Sequence, residues 1–273
     1  MKFTTIIFLA LFTLTASQAN AGLKVSCSMF PVYDFTREIT AGQAEISLIL
    51  KPGTEPHDFE PSPRDIKALH DSDVFVFTGP QMEHWAERIA DSLTGTRIAD
   101  ASHGISLTGN DPHIWLDLDD AQKMVRNILA VLCCADPENA DTYTSNAEAF
   151  CSKLADLDAK FMTMAKNKPL VFTGEFSYGY FVRRYGFDYV SAYDGENEPG
   201  IKRMADIIRY IREHKSRFVL ADDPPLSQVT LSISEQTGAE ILTFSSVHNV
   251  RPGKTFLQVM ADNLAAITRF LND

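Results

Sequence analysis

The sequence predicts an α/β fold of two lobes, each with a mostly parallel sheet flanked by helices, joined by one long rigid connector helix. Short apolar runs alternate with stretches of helical period, and strands that are separated by helices form parallel sheets. The alternation occurs once before residue 140 and again after residue 168. The runs that predict strands are LKVSCSMF, EISLIL, VFVFTG, LVFTGE, RFVLADD and EILTFSS. We therefore expect an N-terminal lobe over residues 22–140 and a C-terminal lobe over residues 168–273.

The connector helix is predicted over residues 141–167, where apolar residues recur at steps of three and four. That recurrence predicts one apolar stripe, of the width that packs along a folded body. The stripe consists of Tyr143, Ala147, Phe150, Leu154, Leu157, Phe161 and Met164. A helix of this length spans on the order of 35 Å, which is enough to run along both lobes.

Residues 1–21 have the layout of a cleavable secretory signal peptide: a lysine, a short apolar stretch and small residues before the cleavage point. The apolar stretch is too short to cross a bilayer, and no later segment has the roughly 20 apolar residues that a membrane helix needs. We therefore expect an exported protein that is located in the periplasm and does not insert directly into the membrane.

Acidic residues outnumber basic ones, 36 to 25, and the formal net charge is -11. This balance argues against a nucleic-acid partner, because net charge affects the steering of charged partners. The four cysteines are Cys27, Cys133, Cys134 and Cys151. An oxidising compartment allows disulfides, and four thiols permit three full pairings among which the sequence does not choose. If only one bridge forms, we expect Cys133 or Cys134 to pair with Cys151, because they flank the same helix–turn region.

Three polar residues follow predicted strands, at the places where a parallel α/β sheet binds its ligands, and a fourth lies in a loop that could face the same crevice. His57 follows ISLILKPG, Glu175 follows LVFTG, and His248 follows ILTFSSV. His113 lies in NDPHIWLDL, just before a predicted helix. Two imidazoles and one carboxylate form a donor set that suits zinc, with a fourth position left to water or to another side chain.

Three segments form a set: KPGTEPHDFEPSPRDIKALHDSDVFVFTGPQMEHW, DPHIWLDLDDAQKMVRNI and VFTGEFSYGYFVRRYGF. Together they resemble the successive signatures of the metal-binding receptors of zinc and manganese ABC importers, the ZnuA/TroA type. The resemblance covers essentially the whole mature chain. It implies two lobes joined by one rigid helix, a transition metal held between the lobes, and delivery of that metal to a membrane permease.

The resemblance also implies three metal ligands: the first histidine of the family falls on His57, the second on His113, and the third ligand on Glu175. The third position is histidine in many zinc receptors and glutamate in many manganese receptors.

The fourth ligand position departs from the family pattern. Many relatives have an aspartate just after the last strand, where this chain has Ser245, with His248 three residues further on. Asp222 matches a family carboxylate position near the usual ligand set. A serine hydroxyl replaces a carboxylate poorly on a divalent ion, so water, a second oxygen of Glu175, or His248 completes the shell.

Zinc is the metal that we expect, with manganese as the alternative. Manganese prefers oxygen-rich surroundings, whereas a site with two imidazoles has a higher affinity for zinc. The expected function is high-affinity capture of zinc in the periplasm and delivery to the permease of an ABC importer. A metal-dependent hydrolase is a second interpretation, but the chain has no HExxH motif, and we expect no enzyme. A third interpretation keeps the fold without the metal, because Ser245 weakens the site.

Overall fold

The computed structural model describes residues 22–51, 53–109, 111–174, 177–194, 198–249, 251 and 253–273. The predicted leader, residues 1–21, and the predicted ligand Glu175 therefore lie outside the described residues. In the part of the chain that is described, no helix is both long and apolar enough to cross a membrane.

The first sheet is fully parallel, with the strand order β2-β1-β3-β4. Its strands are β1 (Leu23–Cys27), β2 (Ala44–Leu48), β3 (Val74–Phe77) and β4 (Arg97–Asp100). The helices that connect and flank them are α1 (Phe30–Thr40), α2 (Pro63–His70), α3 (His84–Ala90) and α4 (Leu118–Ala135). In the register of the central pair, Val25 of β1 lies opposite Val74 of β3. All four residues of β3 are buried, as expected for a strand covered on both faces.

The second sheet is also fully parallel, with the order β6-β5-β7-β8. Its strands are β5 (Leu170–Phe172), β6 (Tyr189–Ser191), β7 (Phe218–Ala221) and β8 (Glu240–Thr243). Its helices are α6 (Gly179–Tyr185), α7 (Ile201–Glu213), α8 (Gln228–Thr237) and α9 (Phe256–Leu271). The two lobes thus repeat one topology, in which the first strand of each lobe pairs with the second and third strands. The predicted fold of two parallel-sheet lobes is confirmed.

Two strands were missing from the sequence prediction, β4 and β6. Both are edge strands of four and three residues, in the runs RIAD and YVS. Such short runs carry too few apolar residues for a period to be recognised.

The connector helix α5 spans Ala140–Met162. It packs against α4, α1 and α9, and its buried residues include six of the seven members of the predicted stripe. At 23 residues it is about 35 Å long. Its end differs from the prediction, because the chain leaves the helix at Thr163 and residues 163–167 do not belong to it. The division of the chain at 22–140, 141–167 and 168–273 stays a prediction.

The last helix ties the C-terminal half of the chain to the first lobe. The Phe256 backbone N–H, at the start of α9, donates a 2.8 Å hydrogen bond to the buried Asp34 carboxylate of α1. The Phe256 ring packs edge-on against Phe35, with ring centroids 4.8 Å apart. One continuous apolar core accordingly contains residues from both lobes.

The predicted disulfide is wrong: all four cysteines are free. The Cys151 thiol faces the carbonyl oxygen of Gln122, near the start of α4, whereas Cys133 lies at the far end of that helix. Because each helical residue rises 1.5 Å, these two places on α4 are separated by about 16 Å. Bridged cysteines have Cα atoms less than about 7 Å apart. Cys133 and Cys151 therefore flank the same helix–turn region in the sequence but lie too far apart in space to form a disulfide.

Candidate metal centre

Two of the predicted ligands, His57 and His113, are neighbours in space. Their rings meet edge to face with centroids 5.4 Å apart. His57 lies in the loop between β2 and α2, where its backbone N–H donates to Glu55 Oε1 at 3.3 Å. The loop ends at Ser62, which forms a capping box with Asp65 at the start of α2 and so fixes where the helix begins.

The His113 ring is held by the carboxylate two residues before it. Asp111 Oδ1 accepts hydrogen bonds from the backbone N–H of His113 at 3.0 Å and from His113 Nδ1 at 2.8 Å. This is the local turn that an aspartate favours, with proline between the two residues stiffening the chain. His113 is 4 % exposed, and its Nε2 has no hydrogen-bond partner among the described residues.

The charge of Asp111 decides which ring nitrogen of His113 can bind a ligand. Burial raises the pKa of the Asp111 carboxyl, but hydrogen bonds from His113 and from the Tyr180 backbone outweigh burial and lower the pKa below its ordinary value. An ionised carboxylate only accepts hydrogen bonds, so Nδ1 must carry the proton. In the neutral ring the lone pair is then on Nε2, the buried atom that lacks a partner in the described structure.

Ser245 directs its hydroxyl away from a ligand role. It is fully buried, and its Oγ donates to Asp223 Oδ2. The same oxygen accepts the Val247 N–H at 3.1 Å, and the Ser245 N–H donates to Asn263 Oδ1 at 2.8 Å. The hydroxyl thus fixes the loop after β8.

Asp222 and the strained Val247 shape the remainder of that loop. Asp222 Oδ1 accepts hydrogen bonds from the backbone N–H groups of Asp223 at 2.7 Å and Ser246 at 3.0 Å. This carboxylate oxygen therefore stabilises the backbone of the loop. Val247 has a φ of +61°, a conformation that is a genuine outlier for a β-branched residue. Backbone strain of this kind persists where the surroundings enforce it.

The strained turn directs His248 towards the cleft. Its Nδ1 is hydrogen-bonded to Ser246 Oγ, and the half-buried ring borders a cavity of about 560 Å³. Glu55 of the first lobe borders the same cavity, as do Asp222 and Gly174 of the second. Gly174 directly precedes Glu175 in the chain. Both lobes thus contribute residues to one cleft beside the predicted site.

The complete set of three predicted ligands is not tested. Within the described ranges, no group of three His, Cys, Asp or Glu side chains lies close enough to hold a metal ion. The structure brings His57 and His113 together, whereas Glu175 lies outside the described residues. The assignments of His57, His113, Glu175, His248, Ser245 and Asp222 stay predictions.

Two residues that the sequence predictions overlooked organise this region. Asp111 binds the His113 ring, and Trp115 packs against it with centroids 5.2 Å apart. Trp115 also donates its Nε1–H to the Ser246 carbonyl oxygen. The sequence does contain a pattern that indicates the role of Asp111. An aspartate two residues before a histidine, with proline between, is typical of a turn in which the aspartate side chain accepts the backbone N–H two residues further on. No local pattern indicates the bond between Trp115 and Ser246.

A pair of parallel-sheet lobes of the same topology, joined by a long helix and bordering a common cleft, defines the class of two-lobe solute-binding proteins. The family model for the periplasmic component A of the zinc-uptake complex, ZnuA, matches residues 25–270. The chain therefore belongs to the ZnuA family, and the resemblance stated from its motifs is confirmed.

Individual relatives agree with this assignment. The chain is 28 % identical over 283 residues to the high-affinity zinc uptake system protein ZnuA of Bacillus subtilis, covering 93 % of this chain and 89 % of the relative. It is 28 % identical over 290 residues to the zinc-binding protein AdcA of Streptococcus pyogenes, covering 91 % of this chain but only 56 % of AdcA. The chain thus spans little more than half the length of the AdcA relatives.

A solved structure has the same fold. The Zn(II)-bound ZnuA-like domain of Streptococcus pneumoniae AdcA superimposes with a TM-score of 0.82 at 25 % identity, covering 92 % of this chain and all of that domain. The predicted fold class and the function of a zinc-uptake solute-binding protein are therefore supported at the level of the family.

Proposed function

We propose that this protein captures Zn²⁺ outside the cytoplasmic membrane, in the periplasm, and delivers it to the permease of an ABC importer. The observation that carries the proposal is the His57–His113 pair, with the buried Nε2 of His113 lacking a partner among the described residues. Zinc is the cargo of this protein.

The spacing of the two rings suits a shared zinc ion. With Zn–N distances of about 2.0–2.1 Å and tetrahedral angles, two bound imidazoles have ring centroids roughly 5 Å apart. The observed separation is 5.4 Å. Asp111 also supplies the carboxylate that commonly orients a zinc-bound histidine. We infer that His57 and His113 donate two nitrogens and that Glu175 donates the carboxylate.

In the described structure His248 does not form a group of three metal donors with His57 and His113. We propose that it, rather than Ser245 or Asp222, reaches the fourth position when the cleft closes on zinc. The Ser245 hydroxyl is engaged by Asp223 and Val247, and an Asp222 oxygen holds two backbone N–H groups. His248 borders the same cleft as Asp222, and its Nδ1 is bonded to Ser246. A set of three imidazoles and one carboxylate favours zinc over manganese. Nitrogen-rich sites follow the general order of divalent-metal affinity, in which zinc binds more tightly than manganese.

We further infer a transport receptor rather than a hydrolase. The relatives are named as zinc-binding and zinc-uptake proteins, and the family is a component of a zinc-uptake complex.

Calorimetric titration of the metal-free protein tests the function. Zinc is expected to bind tightly and to saturate with a single ion per chain, and manganese is expected to bind much more weakly. Tight binding of manganese with weak binding of zinc would overturn the choice of metal. Absence of tight binding by either ion would overturn the receptor assignment.

A further inference from the structure

The loop that carries His113 packs closely against α6 of the second lobe. Asp111 Oδ2 lies so close to Gly179, the first residue of α6, that a Cβ built on Gly179 would be 2.4 Å from this oxygen. The same loop is tied to α6 a second time, because the Thr108 N–H donates to the Tyr180 hydroxyl at 3.0 Å. An alanine at position 179 would therefore require the Asp111 carboxylate to shift.

The Asp111 carboxylate cannot turn away from α6 without releasing His113. Its Oδ1 accepts both the backbone N–H and Nδ1 of His113, so both of its oxygens are constrained at once. One side of this short side chain fixes the candidate ligand, and the other side rests on the opposite lobe. Displacing the carboxylate from either side must move it on the other.

We propose that Asp111 is a positioning residue. Through its contact with Gly179, it couples the orientation of the His113 ring to the position of the second lobe. The inference rests on the proposed zinc function. When the lobes close, the contact with Gly179 fixes the position of the Asp111 carboxylate, and the carboxylate fixes the orientation of the His113 imidazole. Release of zinc requires the contact between Asp111 and Gly179 to loosen. Loss of such an outer partner typically costs about 10–100-fold in metal affinity.

Gly179→Ala is the informative variant, because it changes neither a ligand nor a ligand's partner. Gly179 does not have a positive φ, so alanine is sterically allowed there apart from the contact with Asp111. Gly200→Ala is the matched control. Gly200 is also at the start of a helix, has a φ of -66°, and has no atom within 4 Å of an added Cβ.

The experiment measures zinc affinity by competition with a chromophoric chelator, and zinc dissociation by stopped flow. It compares the parent with Gly179→Ala, Asp111→Ala, Asp111→Asn, the double variant Asp111→Ala/Gly179→Ala, and Gly200→Ala. We expect Gly179→Ala and Asp111→Ala each to weaken binding about 10–100-fold. The double variant should bind no more weakly than Asp111→Ala alone, since the added methyl group then has nothing to displace. Asp111→Asn should recover part of the loss, because its amide oxygen still accepts from Nδ1–H.

A second readout uses the protein without zinc. Nitrogen-15 NMR of the His113 ring should report the Nδ1–H tautomer in the parent and in Gly200→Ala, and a mixture of tautomers in Asp111→Ala and Gly179→Ala. Thermal unfolding confirms that each variant is folded. The proposed coupling is wrong if Gly179→Ala has the same zinc affinity and the same His113 tautomer as Gly200→Ala. It is also wrong if the affinity losses of the two single variants multiply in the double variant. If the parent binds no zinc, the proposed function fails, while the tautomer measurement still decides the role of Asp111.

Discussion

The Nε1–H of Trp115 donates a 2.7 Å hydrogen bond to the carbonyl oxygen of Ser246, 131 residues away in the chain. Trp115 belongs to the segment that carries His113, and Ser246 belongs to the strained loop that carries His248. Both groups are buried. This buried hydrogen bond therefore links the two candidate ligand loops directly.

Replacing Trp115 by phenylalanine should lower the free energy of unfolding by about 1–3 kcal/mol more than the same change at Trp85. The Trp115 change leaves the buried Ser246 carbonyl without its donor, and an unsatisfied buried group costs about that amount. Trp85 is equally buried, but its Nε1 has no partner among the described residues. Urea unfolding of the two variants makes the comparison, and equal losses would show that the hydrogen bond does not contribute.

His248→Ala should weaken zinc binding more than about tenfold, because removal of a ligand costs at least as much as removal of an outer partner. His214→Ala is the control, since His214 is exposed at the end of α7 with its Nδ1 bonded to the Tyr210 carbonyl oxygen. Competition titrations with a zinc chelator measure both affinities. Unchanged affinity in His248→Ala would leave the fourth position to water or to another group.

Glu83 should make the stability of the protein depend on pH. Burial raises the pKa of this carboxyl from its usual 4.5 to about 7, although hydrogen bonds from Ser28, Gly79 and Thr78 oppose the rise. The folded protein therefore holds the proton more tightly than the unfolded chain. The stability from this group is fully present below pH 4.5 and is lost as pH rises through 7.

Glu83→Gln should remove this dependence, which amounts to at most about 3 kcal/mol between the two pKa values. Denaturant unfolding at several pH values from 4.5 to 8 provides the measurement, with Glu148→Gln, on the exposed face of α5, as the control. A parent and a Glu83→Gln variant with parallel pH profiles would contradict the raised pKa.

The four free thiols should differ strongly in reactivity. Cys134 is exposed and should react first with a thiol reagent in the folded protein. Cys27 is buried, and its pKa is raised to about 12 by burial, so it should stay unreactive until the chain unfolds. Mass spectrometry after alkylation identifies the sites. Fewer than four reactive thiols in unfolded, unreduced protein would show that a disulfide forms, contrary to the structure.

Much of the fold follows from local patterns in the sequence. The apolar runs predict six of the strands because each run is long enough to be recognised, whereas the edge runs RIAD and YVS are too short. The stripe from Tyr143 to Phe161 predicts α5 because a helix that packs along a body must repeat its apolar face.

The candidate site follows from the sequence only in part. The motifs predict His57 and His113 as ligands, but their contact depends on how the two loops fold over the sheet. The engagement of Ser245 by Asp223 and the positive φ of Val247 depend on the path of the loop after β8, which no local spacing encodes. The disulfide prediction failed for a related reason, since the rise of α4 separates cysteines that are close in the sequence.

The most direct measurement is a crystal structure of the zinc-loaded protein, with anomalous data collected on both sides of the zinc absorption edge. A zinc peak about 2.0–2.1 Å from one nitrogen of His57 and from Nε2 of His113, with a Glu175 oxygen in the same shell, is the predicted result. A zinc peak bound elsewhere, with the His57 and His113 rings left without metal, would contradict it.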